Sequence, residues 1–133
     1  HNLFDILNNV LFYLLQPAKK FRVKGKTKLQ KKNILKDAIA ISGSGAFAII
    51  IECVVDDLAK EITKSIKIPT IGIGASKNCD GQILVTDDML GISGFYPKFV
   101  KKYANLKKEI EKGVKNYRKD IINKKFPRNE NSY

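Results

Sequence analysis

Two apolar runs, "AFAIIIE" at 46–52 and "IPTIGIGA" at 68–75, most constrain what this chain can fold into. The first is β-branched and almost continuously apolar, as expected of a parallel strand covered on both faces rather than an alternating surface strand. The run starts lie roughly 20 residues apart, which is room for one helix between two parallel strands. The stretch between them supplies that helix: Asp56 or Asp57 can cap it, and Leu58, Ala59, Ile62 and Ile66 mark its inward side. Before the first run, 29–42 brings Leu35, Ala38, Ile39 and Ser42 to one face, widened by Ile34 and Ile41, and "GSG" at 43–45 ends that helix. The spacing predicts helix, strand, helix, strand, with a third short strand through Ile83–Val85 and a glycine-bounded turn after it.

The remainder divides by composition. Residues 1–28 are a truncated or degenerate lead-in, 29–97 carry the βα units, 98–126 are helical with an interruption near Gly113, and 127–133 form a polar tail. Phe99, Val100, Tyr103, Leu106, Ile110, Val114, Tyr117 and Ile121 trace the apolar side of the helical region. Two or three strands cannot close an eight-stranded barrel, so the predicted class is α/β, the carboxyl-terminal part of a (βα)8 barrel, incomplete as an isolated chain. The apolar stretch Val10–Leu15 is too short for a membrane span and has no basic region before it, so a soluble, intracellular protein is expected.

The net charge of +12 points toward nucleic acid only until it is divided along the chain. Residues 1–36 carry nine Lys or Arg against one acid and 98–125 carry eleven against three, whereas 37–97 carry four against eight. The ordered centre is therefore acidic, and the lysine-rich ends read as a solvated exterior with weak polyanion affinity and no element for reading sequence. Cys53 and Cys79, with one histidine, cannot assemble a soft-ligand tetrahedral metal set, and both thiols are expected to be reduced and structural.

Chemistry concentrates at the strand ends. Glu52 closes the isoleucine run, and burying an unpaired carboxylate is costly enough that such a group needs a partner, a raised pKa or a place at the rim. Both Glu52 and the "GIGA" turn fall at carboxyl ends of parallel strands, the edge where ligands bind. Position alone leaves two readings of Glu52: a general base over an apolar mouth, or a carboxylate that pairs with a lysine or faces water. Gly72, Gly74 and Ala75 are substrate-pocket candidates, although "GIGAS" is neither a dinucleotide fingerprint nor a phosphate loop and by itself fits packing or turn geometry better. Asp80, Asp87 and Asp88 lack calcium-loop spacing and are read as turn caps, with no metal ligand assigned in this chain. His1 is given no catalytic role.

Taken in order, E-C-V at 52–54, L-A-x-x-I-T at 58–63, I-P-x-I-G-I-G-A at 68–75, C-D-G-Q-x-L-V at 79–85, D-M-L-G at 88–91 and P-K-F at 97–99 resemble ketopantoate hydroxymethyltransferases. The likeness reaches back to "FRVKGK" at 21–26 and forward to "FP" at 126–127, and corresponds to the carboxyl-terminal half of a family member. It implies a cytoplasmic, Mg2+-dependent barrel enzyme of pantothenate biosynthesis, homo-oligomeric when complete. Such an enzyme transfers the one-carbon unit of 5,10-methylenetetrahydrofolate to 3-methyl-2-oxobutanoate, giving 2-dehydropantoate. By the resemblance, Glu52 is the proton acceptor, whereas the two metal-holding aspartates, a substrate-contacting lysine and a histidine have no counterpart in this chain. Lys24 in place of Gln, Ser76 in place of Gly and Asp87 in place of His depart from the family pattern. The expectation is an enzyme by kinship whose isolated chain turns over negligibly. The alternatives are an inactive fragment or assembly partner and, third, a basic polyanion-binding protein.

Overall fold

The computed structural model describes residues 22–133, so the opening segment with His1 and Val10–Leu15 lies outside the described residues. The chain divides into two compact units, one ending at Ile83 and the other beginning at Leu84.

In the first unit, helix α1 spans Lys28–Gly43. Thr27 caps it, its hydroxyl accepting from Gln30 N–H at 3.2 Å, while the Gln30 side chain accepts from Lys26 N–H at 3.1 Å. Ser44 ends it by donating twice to the Ile41 carbonyl, from its amide at 3.1 Å and its hydroxyl at 2.8 Å. Of the expected inward face Ala38 is buried, but Ile39 is 51% exposed. The contact with the sheet runs along a narrow line through Ile34, Leu35 and Ala38.

Strand β1 is Ile49–Glu52, helix α2 is Asp56–Ser65 and strand β2 is Thr70–Ile73. Val55, not an aspartate, is the N-cap of α2, with no side-chain capping bond. Asp56 and Asp57 sit one step later in the first turn, where the helix dipole favours negative charge, and Asp57 pairs with Lys31 of α1. The strands run parallel with Ile49 opposite Thr70, Ile50 opposite Ile71, Ile51 opposite Gly72 and Glu52 opposite Ile73. Side chains alternate along a strand, so Ile51 and Gly72 share one face and Ile50, Glu52, Ile71 and Ile73 share the other. The first face packs on the helices, where Ile51, Val54, Leu58, Ala59, Ile62, Ala38 and Cys79 form the core. Cover on both faces is not found among the described residues: on the second, Ile50 is 37% exposed and Glu52 is exposed.

The third strand lies upstream of its expected place. β3 is Gly81–Gln82, parallel to β2 with Gly81 opposite Ile71 and Gln82 opposite Gly72. Asp80 sets this register by accepting from the amide and the hydroxyl of Thr70, both at 2.8 Å. Ile83 N–H makes the last ladder bond, to Gly72 O at 3.0 Å, after which the chain leaves the sheet with Ile83 and Val85 exposed.

In the second unit, the short helix α3, Thr86–Leu90, ends at Gly91, which is left-handed at φ 73°. A β-carbon there would lie 2.4 Å from the Ala104 carbonyl oxygen, so only glycine fits. The segment expected to start the long helix at 98 instead turns back to α3, with Tyr103 N–H bonded to Met89 O at 2.8 Å. Helix α4 therefore begins later, spans Leu106–Ile122 and passes through Gly113 without a break. None of its residues is buried.

Candidate functional site at the carboxyl ends of the strands

Three backbone segments meet where β1 finishes. Cys53 N–H donates to Ile73 O at 3.0 Å, Lys24 N–H donates to Cys53 O at 2.7 Å, and Val55 N–H donates to Lys24 O at 3.0 Å. Cys53 adopts φ 52°, left-handed backbone that is uncommon outside glycine, asparagine and aspartate. That bend breaks the strand alternation immediately after Glu52 and directs the chain into α2. Hydrogen bonds on both sides of the bent residue hold it, the situation in which a sparsely populated backbone state persists at a functional site. The Cys53 thiol is pushed above its ordinary pKa by burial, further by the negative charge of Glu52, and drawn back in part by Lys24.

β2 ends in the same way, with Gly74 left-handed at φ 62°. Its turn is fastened from inside. The buried Ser76 hydroxyl accepts from Asn78 N–H at 3.1 Å and Asn78 Nδ2 at 3.0 Å, and its carbonyl accepts from Gln82 Nε2 at 2.7 Å. The Gln82 amide crosses Gly72, where a β-carbon would lie 2.9 Å from both Nε2 and Oε1. Gly72 thus gives Gln82 room on the helix-covered face, opposite the Glu52 row.

An open groove of about 210 Å³ lies at the edge of β1 left unpaired among the described residues, walled by Ile34, Asp37, Ala38 and Ile41 of α1 and by residues from both faces of the strand. Glu52, Lys24 and Asp37 are its charged lining among Ile50, Ile71, Phe47 and other apolar groups, and Gly72, Gly74 and Ala75 do not line it. The structure therefore brings Glu52 and the glycine turn to one edge of the sheet through the Glu52–Ile73 pairing, and gives the groove to Glu52.

The aspartates divide differently. Asp80 is at the starting end of β2: its carboxylate takes the two Thr70 bonds, its own N–H returns to Thr70 Oγ1 at 3.2 Å, and Thr63 Oγ1 stands 2.9 Å from the same hydroxyl. The Thr70 amide and hydroxyl hold the Asp80 carboxyl below the usual carboxylate range. Asp87 and Asp88 lie in the first turn of α3. Among the described residues no three His, Cys, Asp or Glu side chains gather as a metal site. Cys53 and Cys79 are free and buried. Sequence reading missed Gln82 and Thr70 as turn and strand anchors; the signal for both is the polar string "CDGQ" following a β-branched strand.

A family model described as ketopantoate hydroxymethyltransferase matches residues 15–129. The chain belongs to the ketopantoate hydroxymethyltransferase family. A relative from Pelagibacter ubique named 3-methyl-2-oxobutanoate hydroxymethyltransferase is 48% identical over 120 residues, covering 90% of this chain and 47% of the relative. Relatives of the same name from Phenylobacterium zucineum and Sulfolobus acidocaldarius are 51% and 49% identical over 80% and 84% of this chain, covering 39% and 41% of their own lengths. The chain thus spans less than half the length of these family members and corresponds to their carboxyl-terminal half. Among the described residues no helix is long and apolar enough to cross a membrane.

Proposed function

We propose that this chain is the carboxyl-terminal part of a cytoplasmic, homo-oligomeric (βα)8-barrel hydroxymethyltransferase of pantothenate biosynthesis, with Glu52 as its proton acceptor. The reaction joins the one-carbon unit of 5,10-methylenetetrahydrofolate to 3-methyl-2-oxobutanoate, with water supplying the new hydroxyl, and releases 2-dehydropantoate and tetrahydrofolate. The single observation that carries this reading is a carboxylate at the carboxyl end of a parallel strand, lining a mostly apolar groove that it shares with Lys24 and Asp37, in a chain of this family.

Glu52 takes the proton from C3 of the oxo acid as that C–H bond breaks, and the resulting enolate carbon forms the new bond to the one-carbon unit. A general base must stand within hydrogen-bond reach of the proton it removes, and Ile50 and Ile71 give the branched carbon skeleton an apolar seat beside the carboxylate. The left-handed Cys53 fixes where Glu52 ends, and the Gly72–Gly74–Ala75 stretch, fastened by Ser76 and Gln82, shapes the neighbouring rim. Mg2+, when bound by the complete family enzyme, would polarise the oxo group. The described residues do not fit it: Asp80 is committed to Thr70 and no three-ligand cluster exists among them, so no step here runs through the metal. The other half of the barrel is required for turnover, and the isolated chain is expected to show almost none.

The test joins residues 22–133 to the amino-terminal half of the Pelagibacter relative. The hybrid should form 2-dehydropantoate, and Glu52→Gln should lower kcat about 10²- to 10⁴-fold, the range for loss of a general base. A Glu52→Gln hybrid that turns over as fast as the unsubstituted one overturns the reading.

A further inference from the structure

Both strands turn at one level, immediately after the Glu52–Ile73 pair. β2 turns at Gly74 and β1 at Cys53, each in left-handed backbone, at φ 62° and 52°. Glycine adopts that conformation freely, whereas an L side chain there crowds the following carbonyl oxygen. Among the described residues the other non-glycine at positive φ is Lys124, an exposed residue just past the end of α4, where helices commonly close in the left-handed state. Cys53 is held differently. It is 6% exposed, and its main chain is bonded to a neighbouring segment on each side, through its N–H to Ile73 O and through its carbonyl to Lys24 N–H. The turn also decides which side chain goes inside. With Ile51 packed in the core, unbroken alternation would send Cys53 to the same helix-covered face and Val54 to the face of Glu52. Instead Val54 joins the core cluster and Cys53, although buried, does not.

Resting on the base role proposed above, we infer that Cys53 is a positioning residue for Glu52 that acts through its left-handed main chain and not through its thiol. Clamped between β2 and the Lys24 segment, that main chain stops the strand row at Glu52 and sets the direction of the carboxylate in the groove it shares with Lys24 and Asp37. The inference specifies which side chains can serve at 53. A residue without a branch at its β-carbon can hold the left-handed state, whereas a β-branched residue there is a severe outlier and drives the main chain toward the extended form. An extended residue 53 gives up its place between the two segments, moves Val54 out of the core and lets the strand run on past Glu52. Displacing a reacting group by about 1 Å costs about 10²-fold in rate, so residue 53 controls the aim of the base while Glu52 supplies its chemistry.

The experiment compares three substitutions in the hybrid enzyme, with turnover counted per folded molecule. Cys53→Gly keeps the left-handed state without the thiol, and Cys53→Ala removes the thiol but keeps the β-carbon; each should hold kcat within about threefold of the unsubstituted hybrid. Cys53→Val should lower kcat about 10- to 100-fold and leave KM within about twofold, because the substrate still binds and only the base is misdirected. A purely structural role would reduce the amount of folded enzyme and leave kcat per folded molecule alone. A valine variant within about threefold of the unsubstituted kcat, or a glycine or alanine variant that loses more than about threefold, overturns the inference. The glycine and alanine results decide it by themselves where Cys53→Val does not fold. The carboxyl 13C signal of Glu52 in the full chain, identified by its loss in Glu52→Gln, separates this inference from the reading beneath it. A signal that moves further in Cys53→Val than in Cys53→Gly, beside a Glu52→Gln hybrid that still exchanges the C3 proton, keeps the positioning and removes the base. Exchange that stops in Glu52→Gln and continues unchanged in Cys53→Val keeps the base and removes the positioning.

Discussion

The two ends of β2 are built from different materials. At its start, Thr70 is wholly buried and its hydroxyl is shared by Asp80 and Thr63, so a polar group in the interior has every bond it can use. At its finish stand an exposed carboxylate on the adjacent strand, two left-handed residues, and a lysine with no ion-pair partner among the described residues, beside an open groove. Local consistency has been maximised at one end and given up at the other. In parallel α/β folds the starting end serves stability and the finishing end serves chemistry, and the proposed role of Glu52 would place that division within the four residues of β2.

The largest test of that division is Glu52→Gln, which should cost about two or more orders of magnitude in hybrid turnover while shifting unfolding free energy by no more than about 0.5 kcal/mol, as for an exposed substitution. A large loss of stability would make Glu52 a structural residue and break the comparison. Thr70→Val should behave in the opposite way. It removes a fully buried hydroxyl and leaves its partners short of a bond, so urea unfolding should show a loss of about 1–3 kcal/mol, with kcat per folded hybrid molecule unchanged.

Acid titration sharpens the same contrast. The folded-state pKa of Asp80 is depressed by Thr70, so its contribution is present above the unfolded carboxylate value and is lost as pH falls through the lower folded value. Asp80→Asn should therefore flatten the acid limb of the stability curve, measured by denaturant unfolding between neutral pH and pH about 2, whereas Glu52→Gln should leave the Asp80-dependent part in place. The smallest effect is at Cys53. With its pKa raised by burial and by Glu52, the thiol should alkylate more slowly than a free cysteine near neutral pH, and Lys24→Gln should slow it further by removing the charge that favours the thiolate.

Much of the first unit was legible because its apolar periodicities agree with one another. Of the run 46–52 the part 49–52, and of the run 68–75 the part 70–73, became parallel strands, and Leu58, Ala59 and Ile62 did bury. β3 was misplaced because Ile83 and Val85 have strand-forming side chains, yet register is decided by the Asp80–Thr70 bonds just before them, a contact between residues ten apart. The start of α4 was misjudged for a related reason: Phe99, Val100 and Tyr103 fit a helical period, but Tyr103 gives its N–H to Met89, which the pattern does not encode.

At the site, the glutamate's place at a strand end followed from sequence. Its separation from the glycine row did not, because the pleat assigns Gly72 and Glu52 to opposite faces only once the register is known. The stripe Leu106, Ile110, Val114, Tyr117 and Ile121 teaches the complementary lesson. A helical period identifies which side wants cover, and all five are exposed here, so the pattern names a face without naming its partner.

The base assignment is tested most directly by the first half of the reaction alone, without the folate donor. Hybrid enzyme in D2O should replace the C3 hydrogen of 3-methyl-2-oxobutanoate with deuterium, followed by NMR, and Glu52→Gln should slow that replacement about 100-fold or more while still binding the acid. Exchange at the wild-type rate in Glu52→Gln would show that another group removes the proton and would contradict the account.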